Sequence, residues 1–196
     1  GDGSSGKSYL ALAVAMSMHT GDRIAPFDPL IMRRALYLDW ETNSGTHKFR
    51  LQQLAQGAGI VDALPDIAYL RCYLPLHEHM RQIKATISRY SIGHIVVDSA
   101  ASACGGEPEK AEVALRFSNA LRSLDKTNTV IAHSTKEDSK GKPFGSVFWH
   151  NHPRATFEII PRQDPGEKQI DVGIYNRKTN NDALAKPIGL KLTFGG

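Results

Sequence analysis

The chain opens on Gly1-Asp2-Gly3-Ser4-Ser5-Gly6-Lys7-Ser8, and an apolar run, KSYLALAVAMSM over residues 7–18, follows at once. The spacing is G-x-x-x-x-G-K-[ST]. Each residue type in it has a task when the ligand is a nucleotide phosphate. The glycines let the backbone curl so that successive N–H groups converge on one phosphate, and the helix that follows adds partial positive charge at its N-terminus. Lys7 is placed to reach the β- and γ-phosphate oxygens as a point charge, and the Ser8 hydroxyl to ligate Mg²⁺. Residues 1–8 are therefore expected to bind ATP with Mg²⁺.

Two further acidic positions fall where such chemistry needs them. His94-Ile95-Val96-Val97-Asp98-Ser99 is an apolar strand ending in a carboxylate, and Asp98 is expected to hold the Mg²⁺. A second apolar run, ALYLD, ends in Asp39-Trp40-Glu41. It places another acidic cluster at the carboxyl edge, where open α/β sheets bind ligands. A carboxylate there can orient and deprotonate a water in line with the γ-phosphate. Asp39 belongs to the strand end and Glu41 lies just past it, so Glu41 is the expected general base. The alternative is that the cluster only caps the helix starting after Thr42-Asn43.

These groups need a scaffold that brings distant segments to one edge, and the hydrophobic pattern supplies one. Strands are predicted at 35–39, 68–74, 94–97 and 129–132. Helices are predicted at 7–18, at 44–57 (with Phe49, Leu51 and Leu54 as its apolar residues), at 77–90 and at 109–126. Strands alternating with helices imply a mostly parallel sheet covered on both faces. After Ser134 the pattern changes. Residues 135–146 are polar with Gly and Pro, and strands at 156–160, 169–175 and 189–194 then follow with little helix. An antiparallel extension along one edge of the parallel sheet is expected. Residues 1–196 read as a single α/β domain, and because a phosphate loop of this kind follows a buried strand, a further strand is expected ahead of Gly1.

Composition narrows the function classes. With 41% hydrophobic and 22% charged residues, the chain is neither disordered nor fibrous. Its apolar runs are strand-sized, too short to span a bilayer. No charged-then-apolar leader is visible, so Cys72 and Cys104 are expected to be reduced thiols in a cytoplasmic compartment. Net charge is +4, and residues 133–196 hold ten Lys/Arg against seven Asp/Glu. That excess suits a polyanionic partner, and a solvated face would show the same balance. A small-molecule kinase fits less well: such enzymes usually carry an arginine-rich lid, and residues 135–146 contain no arginine.

Taken in order, GDGSSGKS, ALYLDWE, HIVVDS, TVIAHSTK, GSVFWHNHPR and NRKTNN resemble the RecA-like ATPases. The match is to the branch of RepA-type hexameric plasmid helicases and related phage AAA-like ATPases. The resemblance implies an ATP-hydrolysing motor or remodeller acting on single-stranded DNA as a homo-oligomeric ring, most often a hexamer, with no membrane partner. It implies that His133, at the end of the strand after Asp98, senses the γ-phosphate. The loop at 135–146 would line the DNA channel, with Lys136, Lys140 and Lys142 on phosphates. Arg154 would be a cation supplied to the neighbouring subunit's site. Arg177 and Lys178, in the turn before the last strand, are alternative nucleotide-contacting cations. A filament-forming recombinase or recombination mediator is a second reading. A non-motor ATPase that uses ATP only to set its assembly is a third.

Lys7→Ala should abolish ATP binding or at least hydrolysis, because the γ-phosphate loses the loop's only cation. Equilibrium binding of a fluorescent ATP analogue and phosphate release check this, and near-normal turnover would remove the phosphate-loop assignment.

Overall fold

The computed structural model describes residues 6–24, 26–60, 63–133 and 145–194. In chain order the elements are α1 (Lys7–Thr20), β1 (Ala35–Asp39), α2 (Ser44–Gly57), β2 (Ala68–Arg71), α3 (Met80–Tyr90), β3 (His94–Asp98) and α4 (Ala100–Ala103). They continue with α5 (Ala111–Arg122), β4 (Thr127–Val130), α6 (Phe148–Asn151), β5 (Ala155–Arg162), β6 (Gln169–Thr179) and β7 (Ile188–Thr193). β1 to β4 form a parallel sheet in the order β2-β1-β3-β4, and β5 to β7 form a three-stranded antiparallel sheet. The expected α/β architecture is present, with helices on both faces of the parallel sheet.

Period-two alternation in β1 and β3 builds the two layers. Leu36, Leu38, Ile95 and Val97 point to one side and pack with Ile83 of α3 and Val113, Phe117 and Leu121 of α5. Ala35, Tyr37 and Val96 point to the other and meet Leu12, Ala15 and Met16 of α1 and Leu51 and Ala55 of α2. Both strands are buried along their whole length, which explains their uninterrupted apolar runs.

The antiparallel strands correct one expectation. Among the described residues they do not extend an edge of the parallel sheet but form a separate sheet. Ile170, Val172 and Ile174 of β6 pack with Leu10 of α1, joined by Leu190, Leu192 and Phe194. Helix α1 is thus enclosed between two sheets, and for that reason it is buried around most of its circumference rather than amphipathic.

Several boundaries also shift. β2 stops at Arg71, short of Leu74, because the backbone N–H groups of Tyr73 and Leu74 turn to His79 Nε2 at 3.1 and 3.0 Å. The turn they make, with Glu78 N–H on the Pro75 carbonyl, delays α3 to Met80. In α2 the buried stripe is His47, Leu51 and Ala55, whereas Phe49 is 57% exposed. β6 runs four residues past Tyr175, so Arg177 and Lys178 lie in a strand and not in the turn before β7. β4 occupies 127–130, and pairing continues as Ile131 N–H bonds the Val97 carbonyl. The strand expected ahead of Gly1 and the loop with Lys136, Lys140 and Lys142 lie outside the described residues.

Burial of His94 sets an acid limit on this core. Its ring is fully enclosed, Nε2 sits 3.0 Å from Thr129 Oγ1, and burial pushes its pKa from 6.5 down to about 4. The unfolded chain takes up this proton as pH falls through 6.5, and the folded chain resists until about 4. Stability present at neutral pH is therefore lost progressively between the two, by up to about 1.4 kcal/mol per pH unit for one proton. His94→Gln should flatten that loss, as denaturant midpoints measured from pH 7 to 4 would show.

Candidate functional site

Gly6 is the N-cap of α1 at φ 74°, a left-handed conformation that glycine adopts without strain. A Cβ there would also meet Leu192 Cδ1 at 2.7 Å, so β7 closes directly on the start of the helix. Among the described residues no side chain caps α1, and its first turn holds no acid. Its first amides lack intrahelical partners, and the helix end carries partial positive charge unopposed by an acid in that turn. Lys7 and Ser8 stand in this turn, half-buried. Gly1, Asp2, Gly3, Ser4 and Ser5 lie outside the described residues.

Parallel pairing places Asp39 opposite Asp98 at the tips of β1 and β3. Trp40 N–H donates to the Asp98 carbonyl at 2.7 Å, and Cys72 N–H to the Asp39 carbonyl at 2.8 Å, locking the three tips together. The two carboxylates have different surroundings. Asp98 accepts hydrogen bonds from the Tyr37 hydroxyl at 2.6 Å and from Ser8. Burial holds its pKa above the usual carboxylate range, and the nearby Asp39 charge pushes the same way. Asp39 is equally buried, which would raise its pKa, but the hydrogen bonds around it win and bring it below the usual range. It accepts from the N–H groups of Glu41 and Thr42 at 2.8 and 2.7 Å, the Thr42 hydroxyl at 2.7 Å and the Tyr69 hydroxyl at 2.9 Å. Arg71 adds an ion pair at 3.4 Å.

Asp39 is therefore saturated by two β2 side chains and by the turn it organises, an Asx-type turn from β1 into α2. Asn43 completes the turn by accepting from Thr46 N–H at the N-cap of α2. The outcome is a fixed position for Glu41, which is exposed at the same edge. Its Oε1 accepts from Ser99 Oγ at 2.6 Å and Ser102 Oγ at 2.9 Å. Ser8, Asp98, Ser99 and Glu41 thus form one contiguous line.

Sequence reasoning did not reach the layer beneath. His47 is buried between Tyr37 and Tyr69, with ring centroids 4.9 and 4.7 Å away. Burial pushes its pKa down to about 4, so the imidazole is neutral. Burial, reinforced by the carboxylates they bind, raises the pKa of both tyrosines, which serve as neutral donors. Arg50, on α2, lies over the Tyr9 ring at 5.7 Å, and its charge is felt at Asp98 and Tyr37. The tyrosines and His47 look like ordinary apolar-face residues in sequence; only the strand register reveals the stack.

A Mg²⁺ ion fits these residues. The Ser8 hydroxyl and the Asp98 carboxylate are hard oxygen donors already in contact, and burial beside Asp39 leaves Asp98 short of compensating charge.

The remaining candidates lie on other segments. His133 is half-buried, two residues past Ile131. Lys178 Nζ donates to the carbonyls of His150, Asn151 and Pro153 at 3.1, 2.7 and 2.6 Å, closing the end of α6. Arg177 pairs with Glu158 at 2.6 Å and lies over Tyr175. Arg154 is exposed, and its carbonyl accepts from Asn180 N–H at 3.0 Å. Among the described residues none of these three side chains bonds to Ser8, Asp98 or Glu41. No described helix is long and apolar enough to cross a membrane, and both cysteines are buried and free.

A family model described as "AAA domain" matches residues 1–139. No curated protein matches the chain in sequence. Among solved structures, a KaiC-like protein from the hyperthermophilic archaeon Pyrococcus horikoshii OT3 superposes with a TM-score of 0.62 at 12% identity, covering 95% of this chain and 80% of that one. Solved chains that match number 284, so the likeness is to a widely used fold and fixes the RecA-like architecture without fixing a substrate.

Proposed function

Because the chain belongs to the AAA domain family and has the RecA fold, we propose that it hydrolyses ATP as a ring-forming motor or remodeller on single-stranded DNA, within the RepA-type helicase and phage ATPase branch. The observation that carries the hydrolytic part is the contiguous line Ser8–Asp98–Ser99–Glu41. It sets two oxygen donors for a cation and one exposed carboxylate along a single edge, beside the positive end of α1.

In this reading the loop of residues 1–8 takes the phosphates on its amides, and Lys7 neutralises charge on the β- and γ-oxygens. Ser8 and Asp98 hold Mg²⁺, which when bound spreads the developing negative charge of phosphoryl transfer. Glu41 accepts a proton from water as the water oxygen bonds to the γ-phosphorus and the bond to the bridging oxygen breaks, releasing ADP. Saturation of Asp39 by five donor groups supports Glu41 over Asp39 as the base. His133 follows β4 and relays nucleotide state to the loop beyond it, where Lys136, Lys140 and Lys142 contact DNA phosphates. Arg154, exposed and, among the described residues, bonded to none of Ser8, Asp98 and Glu41, completes the neighbour's site. Lys178 and Asn180 hold the backbone that carries Arg154, and Arg177 is tied to Glu158. Both arrangements favour Arg154 over Arg177 and Lys178 as the finger.

Glu41→Gln should retain ATP binding and lose hydrolysis by about 10²–10⁴-fold. Wild-type turnover should rise on adding single-stranded DNA, with native mass showing a ring. Turnover indifferent to DNA would move the function to an ATPase that regulates assembly.

Arg154→Ala should abolish the increase in specific activity that accompanies assembly, a loss of about 10³–10⁵ in rate at full ring occupancy. Mixing Arg154→Ala with Glu41→Gln subunits should restore activity, since some interfaces then pair an intact Glu41 with an intact Arg154. No recovery in mixtures shown to co-assemble would place the finger elsewhere.

A further inference from the structure

Glu41 sits on an exposed turn, and a glutamate there has three side-chain torsions to sample. In the structure one carboxylate oxygen is held twice. Ser99 Oγ and Ser102 Oγ both donate to Oε1, while Oε2 has no hydrogen bond among the described residues. The two serines are three residues apart at the start of α4, a spacing that puts both on one side of a helical turn. Their backbone is itself anchored. Ala100 N–H bonds the Ile131 carbonyl, Ala103 N–H bonds the Ser99 carbonyl, and Leu76 N–H bonds the Ala103 carbonyl. Ala100 and Ala103 are buried in the core, and so is Ser99. The two hydroxyls therefore project from a rigid corner joined by a single peptide link to Asp98.

We propose that Ser99 and Ser102 are positioning residues for hydrolysis: by occupying Oε1 they orient the Glu41 carboxylate so that Oε2 takes the proton of the attacking water. Neither serine touches the nucleotide. They act through Glu41, and the inference rests on Glu41 being the general base. A base held on two hydroxyls loses little orientational freedom when the water is activated, and misplacing such a group by about 1 Å can cost about 10² in rate. Because Ser99 follows Asp98 directly, the base and the cation-binding carboxylate are referred to the same strand tip. A shift of β3 would move both together.

The test is single-turnover and steady-state hydrolysis of ATP by Ser102→Ala, Ser99→Ala and the double variant of the full chain. Ser102 is exposed, so Ser102→Ala leaves the core intact and keeps the test valid if Ser99→Ala does not fold. The expected result is a kcat lower by about tenfold for Ser102→Ala and about a hundredfold for the pair, with the KM for ATP unchanged. Ser102→Thr, which keeps the hydroxyl, should restore the rate. In a Glu41→Gln background, adding Ser102→Ala should cost nothing further, because the group it orients no longer accepts a proton. Wild-type kcat in Ser102→Ala, or an equal loss with and without Glu41, overturns the positioning role. If Glu41→Gln itself turns over normally, the base assignment fails, and the positioning role with it. If Glu41→Gln is slow while the serine variants are not, only the positioning role fails.

Discussion

Two carboxylates at the ends of adjacent buried strands are the constraint around which this molecule is arranged. Parallel pairing of β1 with β3 puts Asp39 and Asp98 side by side, on strands separated by about 4.8 Å. Like charges so close, and so little hydrated, repel. The structure resolves the conflict by treating them unequally. Asp39 receives two backbone amides, two hydroxyls and a guanidinium, and its charge is accommodated by the β1–α2 turn together with Tyr69 and Arg71 of β2. Asp98 receives two hydroxyls, and burial keeps its pKa raised. The difference separates them: one carboxylate builds a turn, and the other is left with less compensation for its charge. His47 and the two tyrosines form the neutral layer that makes the arrangement tolerable, since a charged group there would tip the balance either way.

The second organising fact is the enclosure of α1. A helix carrying a phosphate loop must hold its N-terminus steady against a highly charged ligand. Here it is gripped by the parallel sheet on one side and by β6 on the other, through Leu10, Ile170, Val172 and Ile174. Leu192 packs over Gly6, whose positive φ favours glycine. The antiparallel sheet is thus mechanically continuous with the nucleotide site. Lys178 on β6 also closes α6 and so fixes the segment leading to Arg154. A displacement of that sheet would be felt both at the start of α1 and at the exposed Arg154.

Local features of the chain were sufficient for much of this. Gly6-Lys7-Ser8 ahead of an apolar run specifies a phosphate loop because backbone curl and helix onset are local properties, set by glycine freedom and 3.6-residue geometry. ALYLD and HIVVD read as buried strands because burial on both faces demands unbroken apolar residues, and each ends in an acid at the carboxyl edge of the sheet. The bounds of α2 were legible, from Ser44 to Gly57, though its buried face was not. Pairing register, by contrast, is not a local quantity. That Tyr69 and Arg71 complete the donors around Asp39, that Tyr37, His47 and Tyr69 stack, and that Ser99 and Ser102 converge on Glu41 follow from contacts spanning 10 to 61 residues. The final strands were recognisable one by one from their alternation. Whether they would lengthen the parallel sheet or fold back over α1 depended on which apolar faces remained uncovered once the first sheet had formed, and that competition is settled only in three dimensions.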